Sequence, residues 1–466
     1  MERNRVKEIR LSSGHAVNLL RGGYMSDRRY PSIDPDRLWE NLMELGSIGR
    51  GERGVTRLAF TREDLEGRRW LLRKLEEAGL EARIDKVGNV FGRMPAGTHE
   101  SSRPAKPHIL VGSHVDTVPE GGMFDGALGV LAALECATVL KEQGLLSENP
   151  LEIVAFSNEE GSRVGPGLFG SRAFAEGLPE EEWKQIRPVL EKAGLLDDGD
   201  GSTFLAPSLN PQGYLCYLEL HIEQGGILDK AGEDIGVVQG IVGIHTFTAL
   251  FKGEANHAGT TPMNQRKDAL LGASELILNV PVIVRRFGSP ATVGTCGQVR
   301  VSPGGRNIIP GEVEISVEVR DLDEAVSSRT VEALRDKARE IAFRRGLGLE
   351  LSGVSKTPGA MMDPAVQDVI EDSAKALGLA SRRMPSGAGH DAAVLAKYLR
   401  TGMIFVPSRG GISHSPREWT DKEACANGAN VLLRTILRLH EQQSFRQRSN
   451  SSSSGGRDCR SASVQG

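Results

Sequence analysis

The residues able to do chemistry gather first between His108 and Gly129, in HILVGSHVDTVPEGGMFDGALG. His114 and Asp116 stand two apart, and Asp125 follows in a glycine-rich stretch before a helical pattern begins. A neutral imidazole, a carboxylate and a backbone able to fold around an ion are what a metal site requires. Three later stretches offer the same donor types: Glu159 and Glu160 in SNEEG, His221 in LELHIEQG, and His414 in SRGGISHSP. This set is too large for one catalytic zinc, which takes three protein ligands and a water. It suits two ions roughly 3.5–4 Å apart that share a carboxylate. Imidazole and carboxylate without thiolate favour zinc, with manganese or cobalt as alternatives. Glu159 and Glu160 need not share a role. Adjacent side chains at a strand end point in different directions, so one can bind metal while the other holds the attacking water as general base.

The elements that must position these residues can be read from the pattern around them. Four apolar runs, 108–111, 151–156, 214–220 and 403–406, read as strands, and each leads directly into one of the candidate stretches. A helix is expected over 127–143, between the first two. Helices over 34–45 and 61–78 precede them, the second opening on Thr61 with Asp64 three residues on, close to a capping box, and ending at Gly79. Strands are expected over 81–87 and 89–93. Alternating strands and helices of this kind imply a mostly parallel sheet flanked by helices, in which ligands bind beyond the carboxyl ends of the strands. Any one of these polar stretches is an ordinary solvated loop. Four at the same end of four strands are hard to obtain that way.

The middle of the chain follows a different pattern. Strands are expected over 244–252, 291–301, 312–320 and 347–354, with helices over 266–278 and 324–345. Val313, Ile315, Val317 and Val319 alternate with Glu312, Glu314, Ser316 and Glu318, the period of a half-buried strand. The order βαββαβ is that of a ferredoxin-like unit. The expected architecture is therefore α/β: a discontinuous catalytic domain over 34–235 and 353–443, with an α+β lid or dimerisation domain inserted over 236–352. Residues 1–33 read as an N-terminal extension and 444–466 as a disordered, low-complexity tail. Met25 is a candidate start, so residues 1–24 are left open.

The remaining histidines divide by context. His15, His99 and His440 lie in polar or terminal segments and are expected in solvent, and His108 opens a strand. The direction in which His245 faces is open. His257, in GEANHAGTTPM, and His390, in SGAGHDA, can both donate to a developing oxyanion, though His390 fits a helix-start position equally well.

Composition bounds the rest. A formal net charge of −4 over 466 residues argues against nucleic acid or an anionic membrane as partner. No apolar run approaches a membrane span, and the N-terminus lacks the apolar core of a signal peptide. The five cysteines include no CxxC pair, which fits a reducing cytoplasm.

The motifs GSHVDTV, GGMFDGALGV, SNEEGSRVGPGLFGSRAF, LELHIEQG, NHAGTTPM, PGGRNIIPG, SGAGHDA and GISHSP together resemble the zinc-dependent amidase, hydantoinase and carbamoylase family, over about residues 34–440. That family contains N-carbamoyl-L-amino-acid hydrolases, allantoate amidohydrolases, ureidoglycolate hydrolases and beta-ureidopropionases, within a wider clan of aminoacylases and exopeptidases. The resemblance implies His114, Asp125, Glu160, His221 and His414 as ligands of two divalent ions, with Asp125 bridging. It implies Asp116 orienting His114 through its other ring nitrogen, and Glu159 as the base. It implies Gln224, His257, Asn307, Arg320 and Gly389 as substrate contacts. His221 in HIEQG, where much of the clan has an acidic residue, marks the carbamoylase branch. The activity implied is hydrolysis of an N-carbamoyl-L-amino acid to amino acid, ammonia and carbon dioxide through a metal-activated water. Allantoate, ureidoglycolate or beta-ureidopropionate are alternative substrates, and a dipeptidase or a non-catalytic metal-binding relative are readings from other classes. A homodimer formed through the inserted domain is implied too, with His257 acting in its own or its partner's site.

Overall fold

The computed structural model describes residues 30–94, 107–145, 150–196 and 202–454, with side chains to 443. His15, His99 and nearly all of the expected N-terminal extension lie outside the described residues.

A nine-stranded sheet carries the candidate stretches. Its order is Ala360–Met361, Ile235–Ile241, Thr401–Val406, Tyr214–Ile222, His108–His114, Leu151–Phe156, Val90–Arg93, Glu81–Ile84, with Ser381–Ser386 also paired to Ile235–Ile241. The four central strands, beginning at 401, 214, 108 and 151, are parallel. Every residue of Leu151–Phe156 and Thr401–Val406 is buried, as expected for strands covered on both faces. The flanks differ from the expected parallel arrangement, and the sheet is mixed. Glu81–Ile84 and Val90–Arg93 run antiparallel to each other, and Val90–Arg93 runs antiparallel to Leu151–Phe156. Only five residues join those first two strands, too few for a parallel crossover.

Helices cover the sheet. Pro35–Ser47 is capped by Asp34, whose carboxylate accepts from the Asp36 and Arg37 N–H groups. Arg62–Glu77 is capped by Thr61, which accepts from Asp64 N. Ala127–Glu142 is buried on nearly every side and packs along the strands at 108, 151 and 214. Lys422–Ser454 packs on it and runs past the point near 444 where the sequence loses complexity. Docking of its earlier turns removes the nucleation cost, so extension is cheap. That docking also buries His440, which was expected in solvent.

A second sheet has five strands: Val293–Thr295, Glu312–Asp321, Gly243–Lys252 and Gly348–Thr357 in that order, with Val299–Ser302 also on Glu312–Asp321. All its pairs are antiparallel. Helices Ala269–Phe287 and Glu324–Arg345 cover one face, and Phe247, Phe251, Ile315 and Val317 pack with Leu276, Leu334 and Ile341 beneath them. The strand expected over 291–301 is broken into two. Residues 236 and 352, the expected boundaries of an inserted domain, fall inside strands. Ile235–Ile241 belongs to the large sheet and Gly348–Thr357 to the small one. The chain changes sheets at Gly243 and returns by 360, where Ala360 pairs with Ile241.

Candidate metal centre

The large sheet delivers its polar residues at the carboxyl ends of its central strands. His114 ends its strand, His221 is next to last in its own, Glu159 and Glu160 follow Phe156, and His414 follows Val406. They converge on Asp125, in the loop before Ala127–Glu142. Oδ1 of Asp125 lies 3.1 Å from Nε2 of His221 and 3.6 Å from Nε2 of His114. Its Oδ2 lies 3.2 Å from Nε2 of His414, which is 3.4 Å from Oε2 of Glu160. Two groups of candidate ligands, His114–Asp125–His221 and Asp125–Glu160–His414, share one carboxylate, and a third, Glu219–His221–His390, shares His221 with the first. For bonds of about 2.0–2.1 Å in a tetrahedral shell, neighbouring ligand atoms stand roughly 3.3 Å apart. The observed separations bracket that value.

Local backbone fixes the donors. Nδ1 of His114 lies 3.0 Å from the Asp116 carbonyl, and Nδ1 of His221 lies 2.8 Å from the Ile222 carbonyl. A carbonyl only accepts, so each Nδ1 carries the proton and each Nε2 faces Asp125. Asp116 therefore holds the His114 ring through its backbone. Its carboxylate is 3.9 Å from Nδ1, and its oxygens instead accept from the N–H groups of Glu159 and Glu160 at 3.2 and 3.3 Å. The contact of Asp116 with the other ring nitrogen of His114 is thus made by its main chain rather than its carboxylate. Gly126 is required twice. Its φ is 64°, and a Cβ there would lie 2.4 Å from Nε2 of His114. Left-handed backbone at non-glycine residues also clusters here, at Asn158, Leu168, Gln224 and His414, as strain does at functional sites.

The electrostatics call for cations. Burial pushes the Asp125 carboxyl up, but His114, His221 and His414 hold it well below the usual range. Burial pushes His114 down, yet Glu159 and Asp125 hold it well above its ordinary value. His414 is raised to about 9, first by its contact with Asp125. Burial raises Glu160 to about 7, with Asp125 adding to it. Oε1 of Glu160 is buried with no hydrogen-bond partner. Acceptors packed this closely need protons or metal between them, and the donor set fits divalent ions. Glu159, 3.5 Å from Nε2 of His114, is raised well above the normal carboxylate value by burial, with Asp391 and Glu160 contributing. Its proton affinity suits a group that takes and returns a proton.

These residues line a cleft of about 250 Å³ together with Gln224, Gly389 and His390. Nε2 of Gln224 donates to Oδ2 of Asp125 at 2.8 Å. His390 packs edge-on against His221, with ring centres 4.5 Å apart, and burial followed by His221 pushes its pKa well below normal. Arg320 reaches the rim from the small sheet. Its Nε donates to Glu318 at 2.7 Å and its Nη1 to the Gly387 carbonyl at 2.8 Å. His257 and Asn307 do not join the cleft. Both are exposed and lie together where Asn256–His257 pairs with Ile308–Ile309. His245 is buried on the helix-covered face of the small sheet and does not line the cleft.

Among the buried carboxylates that sequence reasoning missed are Glu219, Glu418 and Asp391, the last of which acts on Glu159. Glu219 accepts from the Ser113 and Tyr217 hydroxyls and from Ala392 N beneath the His221–His390 pair. Glu418 accepts from the Asp125 backbone. Glu219 has a weak signal, two residues before His221 on the same strand face; Glu418 has only its distance of four residues from His414.

Ligand groups of this kind at the strand ends of an α/β sheet fit a metal-dependent enzyme. Comparison with known proteins gives the family. Residues 110–438 match the pattern of peptidase family M20/M25/M40, and the chain belongs to it. It is 40% identical over 415 residues to the N-carbamoyl-L-amino acid amidohydrolase of Geobacillus stearothermophilus, covering 87% of this chain and 99% of that one. It is 33% identical to the allantoate amidohydrolase of Bacillus subtilis, covering 86% and 96%. Among solved structures, an amidase of the hydantoinase/carbamoylase family from Burkholderia multivorans superposes with a TM-score of 0.79 at 37% identity, over 88% of this chain and 98% of that one. The chain is a hydrolase of linear amides. Among the described residues, no helix is long and apolar enough to cross a membrane.

Proposed function

We propose that this chain hydrolyses N-carbamoyl-L-amino acids to the amino acid, ammonia and carbon dioxide. The observation that carries the reading is the single carboxylate of Asp125 shared by two ligand groups, with Glu159 beside them. His114 and His221 would hold one divalent ion and Glu160 and His414 the other, with Asp125 between; zinc suits these donors best. When bound, the ions supply an acidified water and polarise the carbonyl. Glu159 would take a proton from the attacking water and return it to the departing nitrogen. The guanidinium of Arg320 pairs with the substrate carboxylate, turning from Gly387 to do so. Gln224 and Gly389 border the ureido group, and the cleft excludes water as the small sheet closes on it.

A second copy of the chain completes this reading. Leu271, Leu278 and Val282 form an exposed apolar stripe on helix Ala269–Phe287, and Val293, Val299 and Val301 are exposed on the neighbouring edge strands. This surface supports a homodimer through the small sheet, in which the exposed His257 and Asn307 would serve the partner's cleft. Cys136, Cys216, Cys296 and Cys425 are free thiols, which supports a reducing, cytoplasmic setting.

Allantoate is the second reading, favoured by the relative from Bacillus subtilis; it too presents a ureido group beside a carboxylate. Ammonia release by zinc-, manganese- or cobalt-loaded protein, measured on N-carbamoyl-L-amino acids and on allantoate, tests both. Turnover of the carbamoyl amino acids is expected. Turnover of allantoate alone moves the substrate to the second reading, and silence on both defeats the two together.

A further inference from the structure

The loop carrying Asp125 and the loop carrying His414 meet on one buried carboxylate. Glu418 is 3% exposed. Its Oε1 accepts from the backbone N–H groups of Phe124 and Asp125, each at 3.1 Å. Its Oε2 accepts from the Ser413 hydroxyl at 2.8 Å, and that hydroxyl also lies 3.1 Å from Oδ2 of Asp125. The Glu418 N–H donates to the Ser415 carbonyl at 3.0 Å. The residues on both sides of His414 are thus tied to Glu418. This matters because His414 has a φ of 50°, a left-handed conformation that a histidine keeps only when its surroundings over-determine it. Space for the carboxylate is built in as well. A Cβ on Gly122 would lie 2.0 Å from Oε1 of Glu418.

Apolar packing alone would not select such a residue. A carboxylate buried near Asp125 costs free energy through desolvation and like charge. Its hydrogen bonds offset that cost only while both loops hold their present positions.

We propose that Glu418 is a positioning residue: it clamps the two loops so that Asp125, Glu160 and His414 converge on one ion. The proposal rests on the two-ion reading above and extends it to a side chain that touches neither ion nor substrate. The other ligand group does not depend on the clamp in the same way. His114 and His221 are fixed by backbone carbonyls at the ends of their own strands. Loss of the clamp therefore weakens the ion held by Asp125, Glu160 and His414 more than the other, which shares only Asp125 with the clamped loops.

The test is a stepwise zinc titration of the metal-free full chain by calorimetry, on the unsubstituted protein, Glu418→Ala and Gly122→Ala. The first variant removes the clamp; the second displaces Glu418 without removing any polar group. The unsubstituted chain is expected to bind two ions. In both variants one ion weakens about 10–100-fold, the scale for groups that hold a metal ligand in place, and the other weakens clearly less. Two ions at unchanged affinity in both variants overturn the clamp and leave the two-ion reading standing. Equal weakening of both ions also overturns it, since that marks a general loosening of the fold. Fewer than two ions on the unsubstituted chain defeats the two-ion reading itself. Should Glu418→Ala not fold, as judged by circular dichroism, Gly122→Ala decides the matter alone.

Discussion

His114 and His221 are each about 1% exposed, and each has a backbone carbonyl on one ring nitrogen and Asp125 facing the other. His257 and Asn307, where Asn256–His257 pairs with Ile308–Ile309, are exposed, and their hydrogen bonds stay within and between these two segments. Nδ1 of His257 accepts from Gly259 and Thr260, and the Asn307 carbonyl from Ala258. One region is over-determined before any ligand arrives, while the other offers side chains with nothing yet to meet. The difference teaches a division of labour. Preorganisation counts most where charge develops during reaction. Recognition of the rest of a substrate can wait for a closing sheet or a second subunit.

If the large-sheet region is preassembled for metal, stripping metal gives the largest effect. Prolonged chelation is expected to reduce ammonia release to background, and zinc, manganese or cobalt to restore it. The far-ultraviolet circular dichroism is expected to persist, because the sheet core lies away from the ligand groups. Full activity in metal-free protein would break the comparison at its base.

Next in size is Glu159→Gln. It keeps the shape of the side chain and removes the base, so turnover is expected to fall at least about a hundredfold with metal content unchanged. Near-normal turnover, with metal analysis showing two ions, would take the proton-handling role away from Glu159.

Arg320 stands between the two regions. It belongs to the small sheet but donates to Gly387, two residues from the cleft-lining Gly389. Arg320→Ala is expected to raise KM for carboxylate-bearing substrates by roughly 10–100-fold, the scale of a charge-assisted hydrogen bond worth about 1.5–3 kcal/mol. A ureido analogue without the carboxylate should lose little. Equal losses on both would show that Arg320 supports the Gly387 loop rather than reading the substrate.

The same contrast governs how much could be read from the sequence. The candidate ligands were legible because each follows an apolar run with strand character, and strand ends in such sheets are where ligands bind. The alternation of Val313 to Val319 made the small sheet legible in the same way. The mixed flanks of the large sheet were not. Strand Ile235–Ile241 carries two glycines and sits where the pattern changes, so it was read as the start of the next unit. Glu418 was illegible for another reason. It is an acidic residue in a polar stretch, and its partners Phe124 and Asp125 lie nearly three hundred positions earlier, a pairing no local pattern records. His440 looked like a solvated terminal residue because its burial depends on its own helix docking against Ala127–Glu142, far from it in sequence.

The smallest expected effect sharpens the comparison most. If the exposed His257 serves a neighbouring subunit, His257→Ala alone lowers activity, and so does Glu159→Gln alone. Mixed and allowed to exchange subunits, the two variants form heterodimers in which one cleft combines an intact Glu159 with an intact His257 from the other chain. Half of a random mixture is heterodimer and half the clefts in each are complete, so activity is expected to recover to roughly a quarter of the unsubstituted level. Without exchange no recovery should occur, which makes unmixed and freshly mixed samples the internal control. If size-exclusion chromatography shows dimers that exchange and no activity returns, His257 acts within its own chain. The small sheet must then swing far enough to bring it to the cleft, and the open arrangement of His257 and Asn307 reflects closure of one subunit rather than a site shared between two.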